Sequence, residues 1–311
     1  SVNRAQTIST FGQVIYPVTS RFDVTLGGRL QQIKKHTKVD YFSYPLGHTP
    51  GTPAFSMDEK ETFRTFLPKF ALGYDLTNEL NVYAMYSKGY LAGGFNFYTT
   101  GGSRKDNKFD AQTSDDYEIG LKGTYDSFRF STALFYMTIK GTHIFYTDPN
   151  NSNIYYISNA DKSTSMGVEF EGTLKASKEI DINLAASLLK TKYGNYINKD
   201  GSNNKGNRIE KNPEYKISLG ASYYAPMGIY ARLDGNMIGK TYFDEQNTLA
   251  QKSYFTADAK VGYLKDSFDV YLYVKNLTDK EYFTHARARG SNALVTYGKG
   301  RTFGIGVKYS F

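Results

Sequence analysis

Hydrophobic and polar residues alternate one by one along most of this chain. The segments "RFDVTLGGRL" (21–30), "YEIGLKGTYD" (117–126) and "SFDVYLYVKN" (267–276) all show this pattern. Period two places successive side chains on opposite faces of an extended strand. The last nine residues repeat the pattern, with Phe303, Ile305, Val307, Tyr309 and Phe311 on one face. Helical spacing recurs nowhere convincingly, so the pattern predicts an all-β protein.

Thirteen strands are predicted, and they are long compared with the usual five or six residues of globular sheets. Short turns alternate strictly with long polar segments, at 36–58, 91–113, 146–162, 194–211, 243–253 and 284–300. Outer-membrane barrels connect their strands in this way, with short turns on the periplasmic side and long loops outside. We therefore expect an antiparallel transmembrane β-barrel with strands at 4–17, 19–35, 59–75, 78–90, 114–126, 128–145, 163–177, 180–193, 212–226, 228–242, 253–265, 267–283 and 301–311.

Thirteen is an odd number, whereas single-chain bacterial barrels have an even number of strands because both termini lie in the periplasm. The first strand runs into a short turn, so Ser1 falls on the side of the long loops. This parity predicts that the chain lacks the N-terminal part of its barrel. The alternative is a complete pore of about 14 strands with one strand that the pattern does not reveal.

The composition fits this class and excludes others. The 311 residues include 28 Tyr and 21 Phe, no Cys, and a mean hydropathy of -0.51. No stretch approaches the roughly 18 uncharged apolar residues of a membrane helix. The lack of Cys excludes disulfides and thiolate chemistry. A net charge of +8 suits anionic lipids or anionic ligands. The chain contains no block of five like charges, which would indicate a nucleic-acid-binding tail. We therefore expect no nucleic-acid partner.

Two segments at the C-terminus carry a family resemblance. "VKNLTDKEYF" (274–283) and "GRTFGIGVKYSF" (300–311) resemble the end of TonB-dependent outer-membrane receptors, with matches at Asn276, Leu277, Thr278, Asp279, Arg301 and Phe311. "YAMYSKGYLAGGFNFY" (83–98) resembles the strand and glycine-rich loop of the siderophore receptors within that family.

The resemblance implies that residues 1–311 are the last thirteen strands of a 22-stranded outer-membrane barrel, without its plug domain and TonB box. It further implies TonB-dependent import of a metal chelate, with a ferric siderophore as the expected ligand, powered by the TonB–ExbB–ExbD system. No enzyme activity and no covalently bound cofactor are expected. Two alternatives remain open from the residues: a passive diffusion pore, and a surface adhesin or phage receptor.

Candidate ligand-binding residues lie in or beside the long polar segments. Aromatic rings there suit an apolar or catecholate-like ligand, and arginines suit an anionic iron chelate. Each has a plainer alternative: an exit from strand to loop, an interfacial aromatic girdle, or an arginine in contact with solvent or lipopolysaccharide phosphate. The candidates are Tyr90, Phe95, Phe97, Tyr98, Arg104, Tyr146, Tyr155, Arg287 and Arg289.

The aromatic C-terminus resembles the signal that the barrel-assembly machinery reads, with Tyr309 and Phe311 at its key positions. The four histidines stand apart from other metal-ligating residues, so no metal site and no haem site are predicted. No catalytic constellation is suggested by the sequence.

Overall fold

The computed structural model describes residues 1–42, 51–148, 151–197, 201–289 and 292–310. Thirteen antiparallel strands, each paired with the next, form one sheet with β1 and β19 at its edges. They are β1 (Val2–Pro17), β2 (Phe22–Tyr41), β3 (Phe55–Asp75), β4 (Leu80–Leu91), β7 (Gln112–Thr124), β8 (Phe128–Asp148), β9 (Asn151–Lys175), β10 (Ile180–Tyr193), β11 (Tyr215–Tyr224), β12 (Ile229–Ile238), β15 (Tyr254–Lys265), β16 (Phe268–Lys275) and β19 (Thr302–Tyr309).

The connections on the side of the long loops carry small elements of their own. One turn of helix is closed by a capping box on Ser103, and three short strand pairs accompany it. In the described part of the chain no helix has the length and apolarity to span a membrane. The small elements are β5 (Gly94–Phe95), α1 (Arg104–Asn107), β6 (Lys108–Phe109), β13 (Thr241–Tyr242), β14 (Ala250–Gln251), β17 (Phe283–Arg289) and β18 (Asn292–Tyr297).

The thirteen predicted strands and their antiparallel order are confirmed, but several boundaries differ. The strand predicted at 19–35 continues to Tyr41, inside the predicted loop 36–58, and three further differences concern the other loops. Most of the predicted loop 146–162 is strand, because β8 and β9 stay paired well beyond residue 145. Polar residues on both faces of "SNADKSTS" (158–165) remove the alternation there without breaking the backbone ladder. The predicted strand 267–283 ends at Lys275, because Asn276 has a left-handed backbone with φ of 49°. The predicted loop 284–300 contains the hairpin β17–β18.

One face of the sheet, the apolar face, exposes large hydrophobic side chains. Phe66 and Leu134 are each 56% exposed and Ile305 is 69% exposed, which is the outward band of a membrane barrel. A cross-strand row of Tyr86, Tyr117 and Tyr136 lies on this face. The described hydrophobic positions end near this row on the side of the long loops, as expected for an interfacial aromatic girdle.

The opposite, polar face carries charged side chains that bond to one another. Arg232 lies 2.6 Å from Asp234 and also donates to the Ser222 hydroxyl. Arg29 donates to the Ser9 hydroxyl at 3.0 Å. Charges that face the lumen stay hydrated or paired, whereas a Lys or Arg facing lipid at the midplane costs about 2–4 kcal/mol. This cost explains why the alternation is so regular.

The glycines of the last strand have a packing role. On the polar face, the rings of Tyr271 and Tyr273 lie over Gly306 and Gly304, their cross-strand partners. A Cβ atom at either glycine would meet the ring directly above it. Glycine therefore allows two tyrosines of β16 to lie flat on β19 and to stabilise the pairing of the last two strands.

We expect that deletion of Phe311 impairs membrane insertion more than ligand affinity. Phe311 lies outside the described residues; Tyr309, on the apolar face, is 59% exposed and contacts the Phe268 ring edge-on. Surface levels of the truncated protein measure insertion, and ligand binding to the inserted fraction measures affinity. Normal surface levels would refute this expectation.

Candidate functional site

Residues 92–111, here called the inner loop, leave β4 and fold onto the polar face of the sheet. The ring of Phe95 is 2% exposed and packs with Val39 and Met57, which lie on the upper parts of β2 and β3. Phe97 packs against the same cluster. The loop is therefore anchored by an apolar core of its own above the membrane band.

Ion pairs fix the helical turn of the inner loop to β3. The Arg104 guanidinium pairs with the carboxylates of Glu59 and Glu61, and Lys108 lies 3.3 Å from Glu61. The guanidinium also lies over the Phe95 ring, 4.8 Å from its centroid. Glu59 and Glu61 both lie on the polar face, because side chains alternate along β3. The ion pairs therefore hold the helical turn against that face.

The Asn96 side chain attaches the inner loop to β9. Its side chain is buried, accepts from the Ile157 N–H at 2.6 Å and donates to the Ile157 carbonyl at 3.1 Å. The amide thus bonds to the free edge of β9 as a neighbouring strand would. One side chain satisfies both backbone groups of Ile157.

The two ends of the inner loop pack against each other at a buried glycine, Gly93, and this contact is called here the neck of the loop. A Cβ atom at Gly93 would lie within contact distance of the Phe109 carbonyl and 2.9 Å from the Ala111 nitrogen. Lys35 donates to the Ala92 carbonyl at 3.2 Å and lies above the Phe109 ring, and burial lowers its pKa. The glycine-rich run, for which an exit from strand to loop is the alternative to a ligand site, forms a tightly packed neck at Gly93.

Beyond the membrane band, the β8–β9 hairpin has a loop on each of its two faces. On one face His143 bonds to the Asp110 carbonyl at 2.8 Å and meets the Phe109 ring edge-on; burial lowers the pKa of His143. The opposite face carries a second apolar cluster, Ile144, Ala160, Tyr193 and Tyr196. Burial, and then the carboxylate of Glu210 that accepts from its hydroxyl, raise the pKa of Tyr193. The base of the hairpin therefore contacts packed segments on both of its faces.

Each of the remaining loops forms hydrogen bonds or ring contacts with the next loop along the chain. Asn247 accepts from the Arg208 N–H at 2.8 Å and donates to the Arg208 carbonyl at 2.9 Å. Gln251 accepts from the Phe283 N–H, and Phe243 contacts the His285 ring. The described parts of the loops between residues 92 and 297 therefore form a layer of segments that contact one another.

The "NLTD" stretch (276–279), here called the "NLTD" clamp, holds the base of the last loop. Asn276, 5% exposed, donates to the carbonyls of Lys280 and Lys299 and accepts from the Lys280 N–H. Asp258 accepts from the Asn276 N–H, and Asp279 accepts from the Arg301 N–H at 2.7 Å. These contacts explain the pairing of this motif with Arg301: together they join both ends of the segment 276–301.

The structure brings Phe95, Phe97, Tyr98 and Arg104 together in the inner loop. Contrary to the expectation of a ring open to the barrel mouth, Phe95 is enclosed, and both Phe95 and Arg104 are occupied in holding the loop. Tyr98 is 54% exposed, and its ring lies 4.3 Å from that of Phe97. It is the candidate of this group that offers most surface to a ligand.

The other candidates lie apart from this group. Tyr90 shares its face of β4 with Tyr86 and Lys88, so the alternation directs it to the apolar face. Arg287 lies on the β17–β18 hairpin, opposite Leu294. The backbones of Tyr146 and Tyr155 belong to β8 and β9 and that of Arg289 to β17; their side chains are outside the described residues.

A sequence model of the family described as "TonB dependent receptor-like, beta-barrel" matches residues 1–277. This chain belongs to the TonB-dependent receptor family. The pesticin receptor of Yersinia pestis is 29% identical over 313 residues, which cover 99% of this chain and 44% of that protein. The ferrioxamine receptor of Yersinia enterocolitica is 30% identical over 212 residues, which cover 64% of this chain and 28% of that protein.

Among solved structures, the ferric yersiniabactin uptake receptor FyuA from Yersinia pestis superposes with a TM-score of 0.83 at 27% identity. The match covers 99% of this chain and 46% of FyuA. The chain thus spans about half the length of the relatives it matches. It is an outer-membrane β-barrel whose relatives are receptors rather than enzymes.

Proposed function

We propose that this receptor barrel serves TonB-dependent import of a ferric siderophore across the bacterial outer membrane. The observation that carries the proposal is the match to FyuA, a ferric yersiniabactin uptake receptor, over 99% of this chain. The ferrioxamine receptor supports the same ligand class. The ferric siderophore is the transported ligand, and the proposal includes no covalently bound cofactor.

The loop layer supports capture as the role of this part of the protein. Loops held by buried clusters, ion pairs and amide bridges present a preorganised surface, which lowers the entropic cost of binding. The barrel itself performs no bond chemistry. We propose that energy for transport comes from the TonB–ExbB–ExbD system, acting through a plug domain and TonB box that precede these thirteen strands, and that the barrel-assembly machinery inserts the protein.

A passive diffusion pore is the alternative from another class. The inner loop lies on the polar face and is fixed there by Arg104, Asn96 and Gly93, so it narrows any path along that face. Growth separates the two functions, because a pore serves many small solutes without TonB, whereas a siderophore receptor serves one class of iron source and needs TonB.

The experiment is growth of wild-type and gene-deleted cells on a panel of defined ferric siderophores as sole iron sources, with and without TonB. We expect deletion of the gene to abolish growth on one siderophore class only, and we expect loss of TonB to abolish growth on that class as well, together with any other TonB-dependent iron source. If every iron source stays usable after the deletion, the siderophore proposal fails. An adhesin or phage receptor would leave iron use unchanged but alter attachment.

Tyr98→Ala is expected to weaken binding of that siderophore about 5- to 30-fold, as truncation of an exposed aromatic contact residue typically does. The Tyr98→Phe variant keeps the ring that packs against Phe97 and is expected to retain most of the affinity. Titration of intrinsic fluorescence with the ferric chelate measures both variants. Equal affinities of wild type and Tyr98→Ala would remove Tyr98 from the ligand surface.

A further inference from the structure

The described ladder between β8 and β9 is interrupted at one position. Gly141 and Asp161 form no pair with each other, although the residues on both sides of them are paired. Gly141 has a left-handed backbone with φ of 64°, and the Asp161 N–H donates to the carbonyl of Asn195 in a different loop. Such an interruption disrupts the ladder locally and lets the strands bend. The part of the hairpin beyond it, residues 142–145 and 156–160, is called here the outer hairpin.

Two asparagine side chains join the outer hairpin to the inner loop. Asn96 of the loop bonds to both backbone groups of Ile157. Asn159 of the hairpin makes the same contact in the reverse direction: it accepts from the Asp110 N–H at 2.8 Å and donates to the Asp110 carbonyl at 3.0 Å. The His143 ring bonds to that carbonyl as well. The two segments therefore hold each other through reciprocal amide bridges.

The inner loop is itself a single hydrogen-bonded unit. Its two arms pair as β5 and β6, and the Asn96 N–H donates to the Asn107 carbonyl at 2.8 Å. The buried Asn107 side chain donates to the carbonyls of Gly101 and Ser103, which closes the segment around α1. Arg104 on α1 and the Asn96 bridge are thus joined by a continuous set of hydrogen bonds.

The opposite side of the inner loop is held by charges on β3. The Arg104 guanidinium pairs there with Glu59 and, at 2.7 Å, with Glu61, and all three side chains are partly exposed. In the sheet, β3 and β9 are separated by β4, β7 and β8, which corresponds to roughly 19 Å across the strands. The inner loop therefore connects the lumen side of β3 with the outer hairpin across three intervening strands.

We propose that the inner loop is a relay: it keeps the outer hairpin in place, and displacing the loop from β3 in the barrel mouth loosens the hairpin on the outer surface. The break at Gly141 leaves the outer hairpin dependent on contacts from its neighbours, and the amide bridges supply them on the side of the loop. The apolar cluster around Ile144 supports the hairpin from its other face, so the hairpin loosens rather than unfolds. This coupling is a property of the receptor itself and does not depend on which chelate is transported.

The test compares two neighbouring cations of α1 in the full receptor, purified from the outer membrane and placed in nanodiscs. Arg104→Gln removes the ion pairs to β3, whereas Lys105→Gln removes the same charge from an exposed side chain of the same turn. Hydrogen exchange followed by mass spectrometry reports on residues 156–160. Heat-modifiable migration in gels verifies that each barrel is folded, and residues 166–174 of β9, below the break, serve as an internal reference.

We expect Arg104→Gln to speed exchange of residues 156–160 about fivefold, the effect of losing a partly exposed ion pair. Lys105→Gln should leave the rate unchanged, and residues 166–174 should exchange alike in all variants. Wild-type exchange in Arg104→Gln, or an equal increase in Lys105→Gln, would overturn the proposal. Where Arg104→Gln fails to fold, Glu61→Gln breaks the same contact from the side of β3, and the same outcomes decide.

A second comparison distinguishes a relay from two independent effects. Asn96→Ala/Asn159→Ala removes both amide bridges and should speed exchange of residues 156–160 at least about tenfold. Adding Arg104→Gln to this variant should then change the rate less than about twofold, because the loop no longer holds the hairpin. Independent sites would instead multiply their effects, so a further increase of about fivefold would contradict the relay.

Discussion

Replacing Gly93 by alanine is expected to abolish tight binding of the ferric chelate while leaving the barrel in the membrane. The added Cβ meets main-chain atoms of Phe109 and Ala111 rather than the end of a flexible side chain. The neck of the inner loop must therefore open, and the Phe95 cluster and the Asn96 bridge to β9 cannot both persist. We expect a loss of affinity of at least about tenfold, equivalent to 1.4 kcal/mol.

Gly101 provides a matched control within the same loop. A Cβ atom at Gly101 would meet nothing within 4 Å, so Gly101→Ala should retain wild-type affinity. Limited proteolysis on intact cells reports whether the inner loop has left the polar face, and chelate titration reports affinity. If Gly93→Ala and Gly101→Ala behave alike in both measurements, the neck does not control the loop.

Asn276→Ala is expected to release the last extracellular segment from the barrel. The substitution removes three side-chain hydrogen bonds of 2.9–3.1 Å at a buried site, and a fourth, longer one from the Thr278 hydroxyl. It leaves the carbonyls of Lys280 and Lys299 without their donor. It also places alanine at a left-handed φ of 49°. At about 0.5–1.5 kcal/mol for each hydrogen bond, the local stability should fall by about 3 kcal/mol.

Hydrogen exchange is the appropriate measurement because the effect is local. A loss of about 3 kcal/mol corresponds to exchange more than a hundredfold faster over residues 276–289. Asn292→Ala, at an exposed position of the same hairpin, is the control and should leave exchange unchanged. Wild-type protection in Asn276→Ala would show that the "NLTD" clamp is dispensable.

Alternation predicted the strands well because burial against lipid on one face imposes a strict period of two. It failed within residues 146–162, because the described part of this segment lies beyond the membrane band, where no face of a strand must be apolar. The alternation also predicted that the penultimate strand continues past Asn276. The left-handed backbone of Asn276 ends the strand there, but it leaves no trace in the hydrophobic pattern, which continues to "YF" at 282–283. Both errors lie outside the membrane band, where the lipid constraint ends.

The candidate site was predicted less well, because single residue types do not reveal their partners. Phe95 and Arg104 have the chemistry of ligand contacts, yet their partners on β2 and β3 lie about forty to sixty residues earlier in the chain. No residue type in the sequence reveals that Asn96 and Gly93 hold the inner loop in place. The glycine-rich run is the feature of the sequence that points to this contact, because a buried glycine with an extended neighbour often marks a close approach of two backbone segments.

Energy-dependent uptake tests the central claim most directly. Cells with and without the intact gene are given the radioiron complex of the siderophore identified by growth, before and after the proton gradient is collapsed. We predict that iron accumulates only in energised cells that carry the gene, while surface binding survives collapse of the gradient. Accumulation that continues without the gradient, or that is the same without the gene, would contradict the account.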